Sequence, residues 1–231
     1  MTTTRQILIG LAAMWMLLGS AIAQDVEPDD VTFTVEKIEM DLLKYQDTYP
    51  NAKGFGSGGK DEWLRILVEY TVTVDNKRNR NKMQNGTYWI DQAQFDWRMV
   101  IMGSADKSDP TERWSFKGKQ SVTYANIKAD GQKHRAEIYV HPRLIQRFAP
   151  AMKKGQILFE LKMRVGGKTR GEALGQGDKI MSAKEMPRTR SGLSMLDSED
   201  IRLIDYALLN RRETPWQWSS EESFEMIIPS P

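Results

Sequence analysis

The sequence lacks cysteine altogether and has only two histidines among 231 residues. Without cysteine, the protein has no disulfides, no thiol nucleophile and no cysteine-ligated metal site. His134 and His141 are seven residues apart on or beside one predicted strand, so their side chains point to opposite faces and do not share a zinc ion. We expect both histidines to be solvated, and we expect no cofactor, metal or catalytic residue.

The sequence also lacks an excess of either charge, with 33 Lys and Arg against 31 Asp and Glu. Nucleic-acid binding normally requires a clustered basic face, so this balance gives no reason to expect nucleic acid as a partner. No phosphate-binding loop is present either. Gly166-Gly167-Lys168-Thr169 has lysine, not glycine, at position 162 and is predicted to form a hairpin or loop.

Long hydrophobic runs are absent too, because the apolar stretch from Ile7 to Leu18 is shorter than the roughly 20 residues that a membrane-spanning helix needs. Arg5 precedes this stretch and Ala21-Ile22-Ala23 follows it, which is the order of a secretory signal peptide. We therefore predict a signal peptide at residues 1–23 and no membrane span after cleavage. The protein is expected to be exported, to the periplasm, the outer membrane or the cell surface.

The remainder of the chain is predicted to be one domain. Residues 24–30 are acidic and form a flexible leader, and residues 31–231 form a single β-sandwich domain. Two segments rich in glycine and charged residues, 44–61 and 166–197, are expected to be long loops within it.

Alternation of apolar and polar residues indicates strands. The clearest run extends from Leu64 to Val74, and the run from Val31 to Leu42 changes parity near Glu36 or Lys37, which predicts a β-bulge. Seven such runs, with no long helix between the early ones, predict antiparallel sheets packed face to face or closed as a barrel. The seven runs are 31–42, 64–74, 93–101, 114–124, 136–140, 157–165 and 224–228.

Turn and helix signals complete the pattern. Asn85-Gly86 and Asp130-Gly131 are typical of tight hairpin turns. Pro142 to Phe148 is predicted to be one short helix. A second helix in the C-terminal region is expected to start at Ser198, with Ile201, Ile204 and Leu208 on its apolar face.

Two kinds of residue are candidates for partner binding. Trp63 and Trp89 are predicted to be partly exposed, and exposed aromatic rings offer flat surfaces to proteins or sugars. A basic loop between two strands, read as a hairpin tip, is the other candidate; its residues are Lys77, Arg78, Arg80 and Lys82. Trp97 and Trp114, by contrast, lie on apolar strand faces and are expected in the core.

The alternating strands, the helix from Ser198 and the stretch Leu208-Leu209-Asn210-Arg211-Arg212-Glu213-Thr214-Pro215-Trp216 resemble exported proteins associated with type IV pilus-like machinery in gut mucus-dwelling bacteria. The resemblance implies an immunoglobulin-like β-sandwich with an added helix and a structural or surface role. It supplies no functional residues.

These observations lead to a main hypothesis and two alternatives. We expect a non-enzymatic structural or adhesion protein of a surface or pilus-associated assembly, which contacts envelope or pilus proteins through edge strands and loops. The first alternative is a module that binds mucin glycans through Trp63 or Trp89. An enzyme with a carboxylate-only site is the other class left open.

Overall fold

The computed structural model describes the strands and most short connections of the predicted domain. The described residues are 30–44, 62–75, 88–102, 115–148, 157–180, 197, 199, 201–214 and 226–228. The predicted signal peptide, residues 45–61 of the predicted loop at 44–61, the predicted Asn85-Gly86 turn and Trp114 lie outside them.

The described chain is mostly β-strand. Long strands come first and short ones follow, with a helix α1 (Pro142–Phe148) between β5 and β6. The strands are β1 (Val31–Lys44), β2 (Glu62–Val74), β3 (Tyr88–Met102), β4 (Ser115–Ala129), β5 (Lys133–Val140), β6 (Ile157–Val165), β7 (Lys168–Gln176), β8 (Lys179–Ile180), β9 (Arg202–Leu203), β10 (Leu208–Asn210) and β11 (Met226–Ile228).

The strands form two sheets that pack face to face as a β-sandwich. Sheet 1 has the order β1-β2-β5-β10, and sheet 2 has the order β11-β4-β3-β6-β7-β8, with β9 beside β4. All pairings are antiparallel except that of β9 with β4. The predicted antiparallel β-sandwich is therefore confirmed.

The core lies between the sheets and comes from the alternating apolar residues. Phe33 and Tyr70 of sheet 1 contact Phe95 of sheet 2, with ring centroids 5.7 and 5.2 Å from it. Phe95 in turn contacts Tyr124 at 4.8 Å. Edge-to-face contacts of this kind add to the burial of each ring and fix how the two sheets face each other. Trp97 is buried as predicted.

Several local predictions are confirmed. The register of β1 against β2 shifts between Val35 and Lys37, where the parity change predicts a bulge. Helix α1 has the predicted bounds. Gly166 and Gly167, with φ of 56° and 78°, form the two-residue turn between β6 and β7, a backbone conformation that glycine adopts without steric cost.

The helix predicted from Ser198 is wrong over its described part, residues 201–214. This stretch forms β9, a turn, β10 and a 3-10 turn at Arg211–Glu213. Ile204 donates its backbone N–H to the carbonyl of Lys117, and Leu208 pairs with Val140. The backbone hydrogen bonds offered by the edges of β4 and β5 thus outweigh the local helical spacing of Ile201, Ile204 and Leu208.

Two further expectations need correction. The segment 166–197 is not one long loop, because β7 and β8 occupy residues 168–176 and 179–180. The hairpin predicted at Asp130-Gly131 is also wrong, because β4 lies in sheet 2 and β5 lies in sheet 1. β2 and β3 likewise lie in different sheets, so these two strands do not form the hairpin predicted to carry the basic loop.

Glycines allow the two sheets to approach closely along one side. A Cβ atom at Gly171 on β7 would lie 2.5 Å from the carbonyl oxygen of Phe33 on β1. The carboxylate of Asp178 accepts a hydrogen bond of 2.7 Å from the backbone N–H of Met40. The edge of β1 is therefore covered by the β7–β8 hairpin of the other sheet.

The described residues 201–214 and 226–228, which we call the closing segment, lie along the opposite side. Within its described residues, β9 and β11 pair with β4, and β10 pairs with β5. Ala207 and Leu208 are buried between these strands. The closing segment thus joins sheet 1 to sheet 2 where their edges would otherwise face solvent.

Candidate interaction surfaces

Trp63 is not a surface residue, contrary to the prediction. Its side chain is 8% exposed and packs against Tyr139 and His141, with ring centroids at 6.5 and 4.9 Å. Leu43 and Leu209 complete this cluster on the outer face of sheet 1. The cluster comes from four separate strands and their ends, so alternation along β2 alone does not reveal it.

Trp89 is exposed, as predicted. Its neighbours Tyr88 and Ile90 are 2% and 3% exposed and point into the core, so alternation directs Trp89 outward, where 53% of it is accessible. Lys128 lies opposite Trp89 on β4. The indole of Trp89 therefore projects from a strand position whose two neighbours, Tyr88 and Ile90, are buried in the core.

Trp89 lies on a two-stranded extension of sheet 2. β3 pairs with β4 from Tyr88 to Met102 but with β6 only from Gln94 to Ile101. The first residues of β3 and the last of β4 therefore project beyond β6. We call the exposed outer residues of this extension the Trp89 surface; they are Trp89, Asp91, Gln92, Asn126 and Lys128.

Tyr88 lies on the inner, core-facing side of this two-stranded extension. Burial raises the pKa of Tyr88 to about 12, and the negative charges of Asp91 and Asp30 act in the same direction. The phenol is thus neutral at physiological pH, as a group inside the sandwich should be. On β4, Lys128 pairs with Asp130 at 3.0 Å beside the turn that leads into β5.

The two tryptophans cannot belong to one site. Trp63 is near the start of β2, and the chain runs about 36 Å from there to Val74, at roughly 3.3 Å per residue, before it crosses to β3. Trp89 follows soon after that crossing. Of the two tryptophans predicted as alternative glycan contacts, Trp63 is buried, so only the Trp89 surface remains from that prediction.

The predicted basic loop lies outside the described residues; its members are Lys77, Arg78, Arg80 and Lys82. Their place in the chain is between the end of β2 and the start of β3, so they precede the Trp89 surface by only a few residues.

The turn between β9 and β10 carries exposed apolar side chains that sequence reasoning missed. Tyr206 is 68% exposed and Leu203 is 39% exposed, whereas Ile204 and Ala207 between and beside them are buried. The sequence places all four in the helix predicted from Ser198. Because residues 201–214 form short strands and turns, the helical spacing could not show which of these four side chains are exposed.

A network of charged groups covers part of the outer face of sheet 1. Glu137 is 3% exposed and Arg211 is 8% exposed, and their side chains approach to 3.3 Å. Burial raises the pKa of the Tyr139 phenol well above its ordinary value, as do the charge of Glu137 and the hydrogen bond to it. Tyr139 therefore remains a hydrogen-bond donor to this carboxylate.

The 3-10 turn brings Arg211 to Glu137. Asn210 caps the turn by accepting the backbone N–H of Arg212 at 2.9 Å, and Glu213 accepts the N–H of Asn210 at 2.8 Å. Thr214 then donates its hydroxyl to the carbonyl of Arg211. These bonds satisfy the ends of the turn. The stretch Leu208 to Thr214, which supports the family resemblance, therefore has a structural role.

Glu69 is the second buried carboxylate of this face. Burial raises its pKa, but hydrogen bonds from Arg135 at 3.1 and 3.2 Å and the charge of Lys133 outweigh burial, so the pKa is below its ordinary value. Glu69 is thus ionised, and its negative charge is neutralised by Arg135 and Lys133. This arrangement is typical of a structural ion pair and not of a general acid.

The histidines are on opposite faces, as predicted, but His134 is buried and not solvated. Its ring stacks on Tyr70 in the core at 5.5 Å, whereas His141 contacts Trp63 on the outer face. Over the described ranges, no three His, Cys, Asp or Glu side chains are grouped so that they could hold a metal ion. No helix there is long and apolar enough to cross a membrane.

Short strands form most of the described sheet edges. β8 and β9 have two residues each, and β10 and β11 have three. Short edge strands offer few free backbone groups to a strand from another molecule. The described short edge strands therefore offer few free backbone groups, whereas the Trp89 surface offers exposed side chains.

Comparison with known proteins identifies a family and a similar solved structure. A protein-family model matches residues 25–224 of the chain. A crystal structure of a protein from Akkermansia muciniphila is similar with a TM-score of 0.61 and 18% sequence identity, over 87% of this chain and 95% of that one. This similarity supports the fold alone. No curated protein matches the chain.

Proposed function

The chain belongs to the family whose model matches residues 25–224, and on that premise we propose that it is an exported, non-enzymatic structural or adhesion protein that acts by contact with other envelope proteins. The sequence resemblance to pilus-associated surface proteins supports a place in a surface or pilus-related assembly. The fold shared with the Akkermansia muciniphila protein agrees with this resemblance.

The exposure of Trp89 is the observation that carries the proposal. A tryptophan that is 53% exposed makes limited contact with its own domain, yet its buried neighbours Tyr88 and Ile90 anchor the strand that carries it. Tryptophan is among the residues that most often dominate the energy of protein interfaces. Because the strand is already ordered, a partner that covers Trp89 does not have to offset the cost of ordering it.

Photo-crosslinking in producing cells tests the proposal. A photoreactive residue at position 92, beside Trp89, should give covalent adducts with envelope proteins. The matched control is position 42, because Leu42 is 47% exposed but lies near Trp63 at the other end of the sandwich. Adducts at both positions, or at neither, would contradict a contact centred on the Trp89 surface.

Glycan binding at the same surface is the second candidate. Asp91, Gln92 and Asn126 are exposed near Trp89, and such groups can hydrogen-bond sugar hydroxyls around an aromatic platform. Titration with mucin oligosaccharides, followed by tryptophan fluorescence, tests this alternative. A change that free sugar saturates and that Trp89→Ala removes would support it over protein contact.

A further inference from the structure

The closing segment lies in a groove whose two walls belong to different sheets. β4 supplies one wall and accepts the backbone N–H of Ile204 at the carbonyl of Lys117, 2.9 Å away. β5 supplies the other wall and pairs with Leu208 to Asn210. Ala207 and Leu208 are 0% and 1% exposed within the groove. The segment thus completes the core of the domain.

The groove matches this segment in shape. Gly118 on β4 leaves a notch, because a Cβ atom there would lie 2.8 Å from the Cβ of Ala207 and 3.0 Å from the Cγ of Leu208. Real Cβ atoms do not approach other carbon atoms so closely. Only a residue without a side chain at position 118 therefore lets Ala207 and Leu208 take their places.

The groove matches the segment in charge as well. Glu137 on β5 receives Arg211 at 3.3 Å, and both are largely buried. A buried carboxylate without a cation is costly, so the groove favours a segment with arginine at this point. Shape and charge together make the groove specific for the sequence from Ala207 to Arg211.

Among the described residues, few backbone pairings hold the segment in place, and a long connection leads to it. The three pairings involve two, three and three residues of the segment. The connection at 181–201 can span up to about 70 Å when extended. The distance from β8 across sheet 2 to β9 is only about 24 Å at the usual strand spacing.

One described contact, the ion pair of Asp197 with Arg98, ties this connection to sheet 2. Asp197 is 75% exposed there, and exposed ion pairs contribute little to stability. The connection therefore has the length to reach a groove outside its own molecule.

We propose that the closing segment also binds in trans, so that the segment of one copy fills the groove of a second copy. The contacts in the exchanged form are the same as those within one chain, so the exchange requires no new interface. It links copies through the C-terminal part of the chain. The proposal does not depend on the Trp89 surface.

The absence of cysteine allows a direct test with the full mature chain. Leu208 and Val140 are register partners on β10 and β5. Leu208→Cys protein is mixed with Val140→Cys protein, incubated below the unfolding transition, oxidised and analysed on a non-reducing gel. We expect a covalent heterodimer whose yield rises with protein concentration and exceeds several-fold that of a control mixture with Thr73→Cys, an exposed position on β2.

Two controls make a negative result informative. The double variant Leu208→Cys/Val140→Cys should form the disulfide within one chain, which verifies that the geometry permits it. Gly118→Ala should reduce the heterodimer when it is placed in the Val140→Cys copy, whose groove must accept the segment. The same Gly118→Ala substitution in the Leu208→Cys copy, which donates the segment, should not reduce the heterodimer.

The outcomes separate the two arrangements. If the double variant closes within one chain but the mixture yields no more heterodimer than the Thr73→Cys control, the segment binds only in cis and the proposal is wrong. A heterodimer that is insensitive to Gly118→Ala in the accepting copy would equally overturn it, because the linkage would then arise outside the groove.

Discussion

Removal of the guanidinium of Arg211 should destabilise the fold more than the loss of any exposed charge. Arg211 and Glu137 are both largely buried, at 8% and 3% exposure, and their side chains lie 3.3 Å apart. Arg211→Ala leaves the Glu137 carboxylate inside the protein beside Tyr139, which can donate only one hydrogen bond to it. The remaining negative charge is then shielded from solvent and has lost its ion-pair partner, although the charge of Arg65 still acts on it.

The expected loss is about 3–5 kcal/mol, the usual cost of removing one partner from a buried ion pair. For a domain of this size, each kcal/mol lowers Tm by roughly 2–4 °C, so Arg211→Ala should lower it by about 6–20 °C. Replacing both groups with apolar residues, as in Glu137→Leu/Arg211→Met, should recover most of the loss, because no charge then remains buried.

Urea unfolding of the mature chain, followed by tryptophan fluorescence, measures these differences. The matched control is Arg164→Ala, which breaks the 3.0 Å pair with Asp96 on sheet 2, where the Arg164 side chain is 39% exposed. This control should cost about 0–1 kcal/mol. If Arg211→Ala costs no more than Arg164→Ala, the pair does not hold the closing segment and the reasoning fails.

Three other predictions follow from burial and geometry. Trp63→Ala should lower the unfolding free energy by about 3–5 kcal/mol and Trp89→Ala by about 0.5 kcal/mol or less, and equal losses in urea titrations would contradict their assigned positions. Gly175→Ala should cost about 1–3 kcal/mol through crowding, because its Cβ would lie 2.2 Å from the Phe159 ring; Phe159→Leu should recover part of this, and a Gly175→Ala protein with unchanged Tm would refute the contact. The pKa of Tyr88 rises from 10.0 to about 12 on folding, so the contribution of its neutral phenol to stability is complete below pH 10 and is lost as pH rises to about 12. Over that interval the urea midpoint of Tyr88→Phe should fall less steeply than that of the wild type. Identical slopes would contradict the burial of the phenol.

Alternation predicted the long strands because each of them buries one face and leaves the other more polar. The bulge in β1 was predictable for the same reason, since Val35 and Ile38 must both face the core although they are an odd number of positions apart. A pattern with period two therefore specifies both the strand and its irregularity.

Sequence reasoning failed where long-range pairing decides the structure. Ile204 and Leu208 have helical spacing, but the free edges of β4 and β5 hold them as extended chain and turn. Trp63 precedes the core residue Leu64 on the strand, so alternation predicts that Trp63 is exposed, but Tyr139 and His141 of other elements cover it. Neither contact has a signal within its own stretch of sequence.

Assignment of turns to hairpins failed for a related reason. Asp130-Gly131 does form a tight turn, with φ of 71° at Gly131, but the strands it joins pair with different neighbours. A two-residue turn sequence specifies the reversal of the chain and not the sheet that the next strand enters. The division of strands between the two sheets therefore required the structure.

Affinity purification of the tagged mature chain from its own cell envelope, compared with Trp89→Ala and Tyr206→Ala variants, is the most direct test of the proposed function. Tyr206 is the matched control because it is an aromatic residue that is even more exposed than Trp89 and lies at a different place on the sandwich. The account predicts that wild type and Tyr206→Ala retain the same envelope proteins and that Trp89→Ala loses them. Retention of the same proteins by Trp89→Ala, or their release by free mucin sugars, would contradict it.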